Sequence, residues 1–243
     1  MTAPRLSATW LGHGTFVLES EEGRQILLDP WIETNPACPA SWKGGGWQKQ
    51  LGALDLILVT HGHSDHSADA LPVAKATGAP VVSVYEICSW LKAKGAPAVS
   101  GMNKGGTQEI AGLRVTHVHA DHSSTCEERG QIIALGEPGG FVIAFTNGAT
   151  VYFAGDTALF GDMALIKELH EPTLAFLPIG DHFTMGPKAA AAACRLLGVR
   201  QVVPMHYGTF PVLTGTPAEL RSLVEPGVRV TELEAGRKTV LTV

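Results

Sequence analysis

The stretch from Leu54 to His66, LDLILVTHGHSDH, constrains this chain more than any other. Its apolar half is short, rich in Leu, Ile and Val, and bounded by polar residues, which predicts a buried strand. Its polar half places His61, His63, Asp65 and His66 within six positions. Imidazole and carboxylate are ligands for zinc and other borderline divalent ions. The four side chains would sit on the loop leaving a buried strand, where a rigid scaffold commonly presents its chemistry. The alternative is a polar loop that merely holds three histidines. The H-x-H-x-D-H spacing directly after a strand argues against it.

A buried strand needs a sizeable core around it. The chain has 243 residues, 45% apolar and 17% charged, so a sizeable core is available and disorder is not expected. That length allows one large domain or two small ones. With no composition break, repeat or low-complexity segment, residues 1–243 are read as a single domain. The net charge of −5 argues against a dedicated nucleic-acid binder. Bound divalent cations would offset the acidity at the site. Cys38, Cys88, Cys126 and Cys194 are scattered, with no C-x-x-C pair and no signal-peptide pattern. Reduced thiols in a cytoplasm are the expectation. No apolar run approaches the ~18 residues of a membrane span. The expected partner is a small-molecule substrate, with homo-oligomerisation open.

Around the metal-like loop, residues 6–30 read as antiparallel strands, with His13 in a glycine-flanked turn and Asp29 at a strand end. Residues 33–50 are rich in Gly and Pro and carry Trp42 and Trp47. They fit either a mobile flap over a site or a surface linker whose tryptophans pack on the core. Helices are predicted over 69–77, 85–95, near 158–169 and over 184–197, with strands between them. FVIAFTNGATVYFAGDT is a hairpin signal around Asn147–Gly148. Thr216-Pro217-Ala218-Glu219 has the capping-box pattern. The mixed order implies an α/β fold with two sheets packed face to face and helices outside.

Polar residues recur at predicted strand ends: His61, His63, Asp65, His66, then His122, Asp156, Asp181 with His182, and His206. One zinc needs three or four protein ligands. Setting Asp181 and His182 aside, five histidines and two aspartates suffice for two metals if one carboxylate bridges them. The chain resembles the metallo-β-lactamase superfamily of binuclear metal hydrolases. H-x-H-x-D-H matches its signature loop, and His122, Asp156 of GDT, and His206 follow in the order of its remaining ligands. WLGHGTFVLE, ILLDPWI, HADHSS, GDTALFGDM, LPIGDHFTMGP and MHYGTFP are most similar to the metal-dependent hydrolase group that includes ascorbate-6-phosphate lactonase-like proteins.

The resemblance implies a four-layer αββα sandwich with metals at one edge. It implies His61, His63 and His122 on one metal, Asp65, His66 and His206 on the other, and Asp156 between them. Zinc is the expected ion, with manganese, iron or nickel as alternatives. A metal-bound hydroxide would attack a small ester, lactone or phosphoester, with Asp65 and His182 as catalytic groups. His182 could equally orient a ligand without touching substrate. His13 and Asp29 are expected to support the ligands rather than join them. A phosphodiesterase or nuclease, and a metal-binding protein without turnover, are the competing functions. The diiron oxidoreductase branch is disfavoured because His63 stands where its members usually carry Glu.

Overall fold

A computed structural model describes residues 3–243. The chain begins as an antiparallel meander of β1 (Arg5–Trp10), β2 (Phe16–Ser20) and β3 (Gln25–Leu28). Helix α1 (Gly46–Leu51) precedes β4 (Leu56–Leu58), and the short α2 (Ser64–Ser67) and α3 (Ala70–Thr77) follow it. Next come β5 (Val81–Val84), α4 (Tyr85–Ala93) and β6 (Val99–Met102). The second half runs β7 (Thr107–Ile110), β8 (Leu113–His119), β9 (Thr125–Glu128), β10 (Gln131–Ala134), β11 (Gly139–Ala144) and β12 (Thr150–Phe153). It ends with α5 (Met163–His170), β13 (Leu174–Pro178), α6 (Pro187–Leu197), β14 (Gln201–Met205), α7 (Pro217–Leu223), β15 (Arg229–Val230) and β16 (Lys238–Thr242).

The strands form two seven-stranded sheets, ordered β16-β1-β2-β3-β4-β5-β6 and β15-β14-β13-β12-β11-β8-β7. The period of two along a strand explains why β4 is apolar throughout. Leu56 and Leu58 join the core that also holds Phe141, Phe153 and Phe176 of the second sheet. Ile57 points the other way, into a core shared with Trp42, Trp47, Val73, Ile87 and Leu91. Phe16 bridges the sheets edge-on, its ring 4.9 Å from Phe176. Helices α5, α6 and α7 contribute Ile166, Ala190, Leu197 and Leu220 to the core on the second sheet's side. The layering is αββα, as the resemblance implied.

Strand direction gathers the chemistry. In the first sheet β3 and β4 are parallel, and β1 shares their direction through the intervening β2. In the second, β12, β13 and β14 are parallel, and β8 shares their direction through β11. All seven strands therefore end at one edge of their sheet, and the loops that follow carry His13, Asp29, His61–His66, His122, Asp156, Asp181–His182 and His206. Two backbone bonds join the sheets at that edge: His206 N–H to His13 O, 3.1 Å, and Gly139 N–H to Thr60 O, 3.1 Å.

Several local expectations change. Residues 33–50 are a packed wall: Trp42 and Trp47 are buried, and the Glu33 carboxylate accepts from Gly44 N, Gly45 N and Trp47 Nε1. Residues 99–119, which the sequence suggests are short strands around a turn at 103–106, divide there, with β6 in one sheet and β7 in the other. Helix α6 starts at Pro187, where a missing N–H is harmless, because Met185 N–H is already given to Thr157 O. The β9–β10 hairpin belongs to neither large sheet and had no clear signal in the sequence. Among the described residues no helix is long and apolar enough to cross a membrane.

Candidate metal centre

His61 lies just beyond β4, and its ring is fixed from behind. Asp29 accepts from Thr60 N–H (2.7 Å), Thr60 Oγ1–H (2.7 Å) and His66 Nδ1 (2.8 Å). The Thr60 hydroxyl has a single proton, and Asp29 takes it. His61 Nδ1 must then donate to Thr60 Oγ1 at 3.0 Å, which leaves its Nε2 lone pair facing outward. In the neutral ring, His66 likewise donates from Nδ1 and turns a bare Nε2 to the same space. A carboxylate behind an imidazole is the usual support for a metal-ligating histidine.

Around this pair the remaining donors fall into two groups. One holds His61, His63 and His122, with His61 Nε2 3.0 Å from His63 Nδ1. The other holds Asp65, His66 and His206, and also His13. A third grouping, Asp29 with His61 and His66, has its carboxylate already engaged by Thr60 and His66. Asp156 touches both main groups. Its Oδ2 lies 3.0 Å from His206 Nε2, 3.6 Å from His122 Nε2 and 4.0 Å from His61 Nε2, and its Oδ1 lies 3.3 Å from His66 Nε2.

The fit to metal ions can be tested on these atoms. His66 Nε2, His206 Nε2 and Asp156 Oδ1 are buried and have no hydrogen-bond partner. Leaving a buried polar atom unpaired costs about 1–3 kcal/mol, so three that converge favour a ligand placed among them. The donor set is nitrogen and carboxylate oxygen, which suits borderline divalent ions. The residues fit the group.

The electrostatics agree. Burial pushes His61 well below the ordinary imidazole range, and it lowers His63 and His122 too, so these rings keep free lone pairs. Burial would raise Asp156, but His206 and His66 beside it hold it well below the usual carboxylate range. Burial likewise opposes ionisation of Asp65, and the His66 charge and the His13 hydrogen bond outweigh it.

His13 is placed closer to the chemistry than its sequence suggested. Its Nε2 lies 3.0 Å from Asp65 Oδ2 and its Nδ1 2.9 Å from Thr209 Oγ1. An ionised Asp65 can only accept, so His13 donates from Nε2 and receives the Thr209 proton at Nδ1. The signal was the glycine on either side: a Cβ at Gly14 would lie 2.7 Å from the His66 ring. His182 is exposed on the loop after β13, its ring against Phe183, outside both donor groups. His13, Asp29, Asp181, His182 and His206 all have positive φ, between 45° and 65°. Non-glycine residues held there cost on the order of 1–3 kcal/mol each and tend to cluster at functional sites.

Comparison with known proteins agrees with this geometry. The model of the beta-lactamase superfamily domain matches residues 24–207. A UPF0173 metal-dependent hydrolase from Koribacter versatilis is 48% identical over 220 residues, covering 90% of this chain and 92% of the relative. One from Rubrobacter xylanophilus is 54% identical over 212 residues, covering 87% and 85%. Among solved structures, the metallo hydrolase Igni18 from Ignicoccus hospitalis superposes with a TM-score of 0.86 at 37% identity, covering 98% of each chain.

Proposed function

Because the chain belongs to the metallo-β-lactamase superfamily of metal-dependent hydrolases, we propose that it uses two divalent ions, zinc first among them, to hydrolyse a small ester, lactone or phosphoester. One observation carries this reading: His66 Nε2, His206 Nε2 and Asp156 Oδ1 are buried without partners where two groups of donors meet. His61, His63 and His122 would hold one ion, Asp65, His66 and His206 the other, and Asp156 would lie between them. When bound, such a pair supplies an acidified water and a Lewis acid for the substrate oxygen.

The chain's own groups do the rest. Asp29 and Thr60 orient His66 and His61, so the liganding nitrogens need no proton removed from their inner faces. Asp65, kept ionised and steadied by His13, can accept a proton beside the substrate. His182, exposed on the loop after β13, would hydrogen-bond the substrate oxyanion or move a proton. The test is metal analysis coupled to a panel of lactones, carboxylic esters and phosphodiesters, each run with and without chelator. Two metals per chain with chelator-sensitive turnover are expected. Asp156→Ala should lose metal and abolish turnover; two metals and normal rates in that variant would sink the bridging role.

A further inference from the structure

A groove of about 610 Å³ runs from the metal centre between α4 and the β9–β10 hairpin. Its volume lies within the range of small-molecule sites. His63 and Asp65 form its inner end, and Trp90 and Ile132 line its outer part. Ile132 is 79% exposed, so its apolar side chain is open to an occupant of the groove.

The hairpin is held in register with the metal loop. Gly62 N–H donates to Ser124 Oγ (3.1 Å), which donates to Leu135 O (3.2 Å), and Leu135 N–H returns to Ser124 O (3.0 Å). Leu135 packs so closely on Gly62 that a Cβ there would lie 2.8 Å from its Cδ1. At the far end Glu128 binds Lys94 and accepts from Trp90 Nε1 at 2.7 Å, tying the hairpin to α4. A groove fixed at both ends and opening on two metal-centre residues is a built extension of the site.

Its charge selects the occupant. Lys94 is the one cation in the lining, and Glu128 neutralises it. Beyond the metal centre, Glu127 adds negative charge without a basic partner from Lys or Arg among the described residues. A phosphate or carboxylate along this groove would meet carboxylates, whereas an apolar chain would cover Trp90 and Ile132. Resting on the hydrolase reading above, we propose that the groove binds the acyl chain of an uncharged carboxylic ester whose carbonyl sits at the His63–Asp65 end.

The test is kcat/KM for p-nitrophenyl acetate, butanoate and octanoate and for bis-p-nitrophenyl phosphate, using zinc-loaded protein. Calorimetric binding of uncleavable methyl ketones with the same chains runs beside it. Specificity should rise about threefold per added methylene, a little less than full burial of each CH₂ would give. Trp90→Ala and the exposed Ile132→Ser should each lower the octanoate-to-acetate ratio about tenfold, the loss of roughly two such methylene contacts. Leu169→Ser, on α5, should leave that ratio unchanged. If esters are hydrolysed with a flat series, or the phosphodiester is preferred, the acyl groove is wrong and the hydrolase reading stands. If no ester is cleaved but ketone binding tightens with chain length and weakens in Trp90→Ala, the groove stands and the ester reading falls. Ketone binding that ignores chain length overturns the groove in either case.

Discussion

At the scale of single residues, the site depends on side chains that would never touch substrate. Asp29 is buried and takes three hydrogen bonds, two from Thr60 and one from His66. Burial raises its carboxyl, and the His66 and Thr60 donors oppose that rise. Asp29→Asn should keep the shape but loosen His66 and remove the charge behind it. Zinc affinity is expected to fall about 10–100-fold, as for other partners of ligating histidines. A competition titration against a chromophoric chelator measures this, and wild-type affinity in the variant would discount the role. His13 shows why such residues are hard to read in advance. Nothing local in LGHGT reveals that Thr209, 196 residues away, will hold its other nitrogen.

At the scale of elements, loops that leave strands set the geometry, and their glycines decide how closely they approach. Gly155 precedes Asp156, has φ 61°, and would place a Cβ 2.6 Å from Thr60. Gly155→Ala should push the Asp156 loop off the His61 loop, destabilising the fold by about 1–3 kcal/mol. Urea unfolding reads the stability, and metal stoichiometry reads the displacement; a variant with neither change would show that the loops do not need this contact. Helix α7 offers a simpler case. Thr216 Oγ1 accepts from Glu219 N–H at 3.2 Å, half of the capping box that the sequence pattern suggested. Thr216→Ala should cost about 1 kcal/mol in thermal or urea unfolding with metal content unaltered. Elements with strong local signals were legible: the buried β4, the β11–β12 hairpin with Gly148 at φ 89°, and α6 with its stop at Gly198, although it starts at Pro187 rather than at Thr184. The β9–β10 hairpin was not, since TCEE and QIIA are short, exposed at several positions and without period-two contrast.

For the whole molecule, pH couples to stability through buried histidines. His117 of β8 is buried, with no hydrogen-bond partner on either ring nitrogen. Burial, helped by the Lys104 charge, takes it from 6.5 down to about 4. Between those values the unfolded chain binds a proton that the folded chain refuses. The contribution is whole above the unfolded value and is lost as pH falls toward 4. From this group alone, unfolding free energy in urea should drop by roughly 3 kcal/mol across the window. His117→Leu should flatten part of the pH profile, and an unchanged profile would remove His117 as its source. The sequence by itself determined the type of chemistry. The donor atoms it offers a metal are histidine nitrogens and carboxylate oxygens, and a buried strand ends just before H-x-H-x-D-H begins, because both follow from side-chain chemistry and local pattern. Tertiary structure alone decided which of those atoms face one another. It set Asp156 between the two groups, brought His13 to Asp65, left His182 exposed outside both groups, and opened a groove beside His63. Those relations depend on parallel strand direction and on contacts across two sheets, and no local stretch of the chain encodes either.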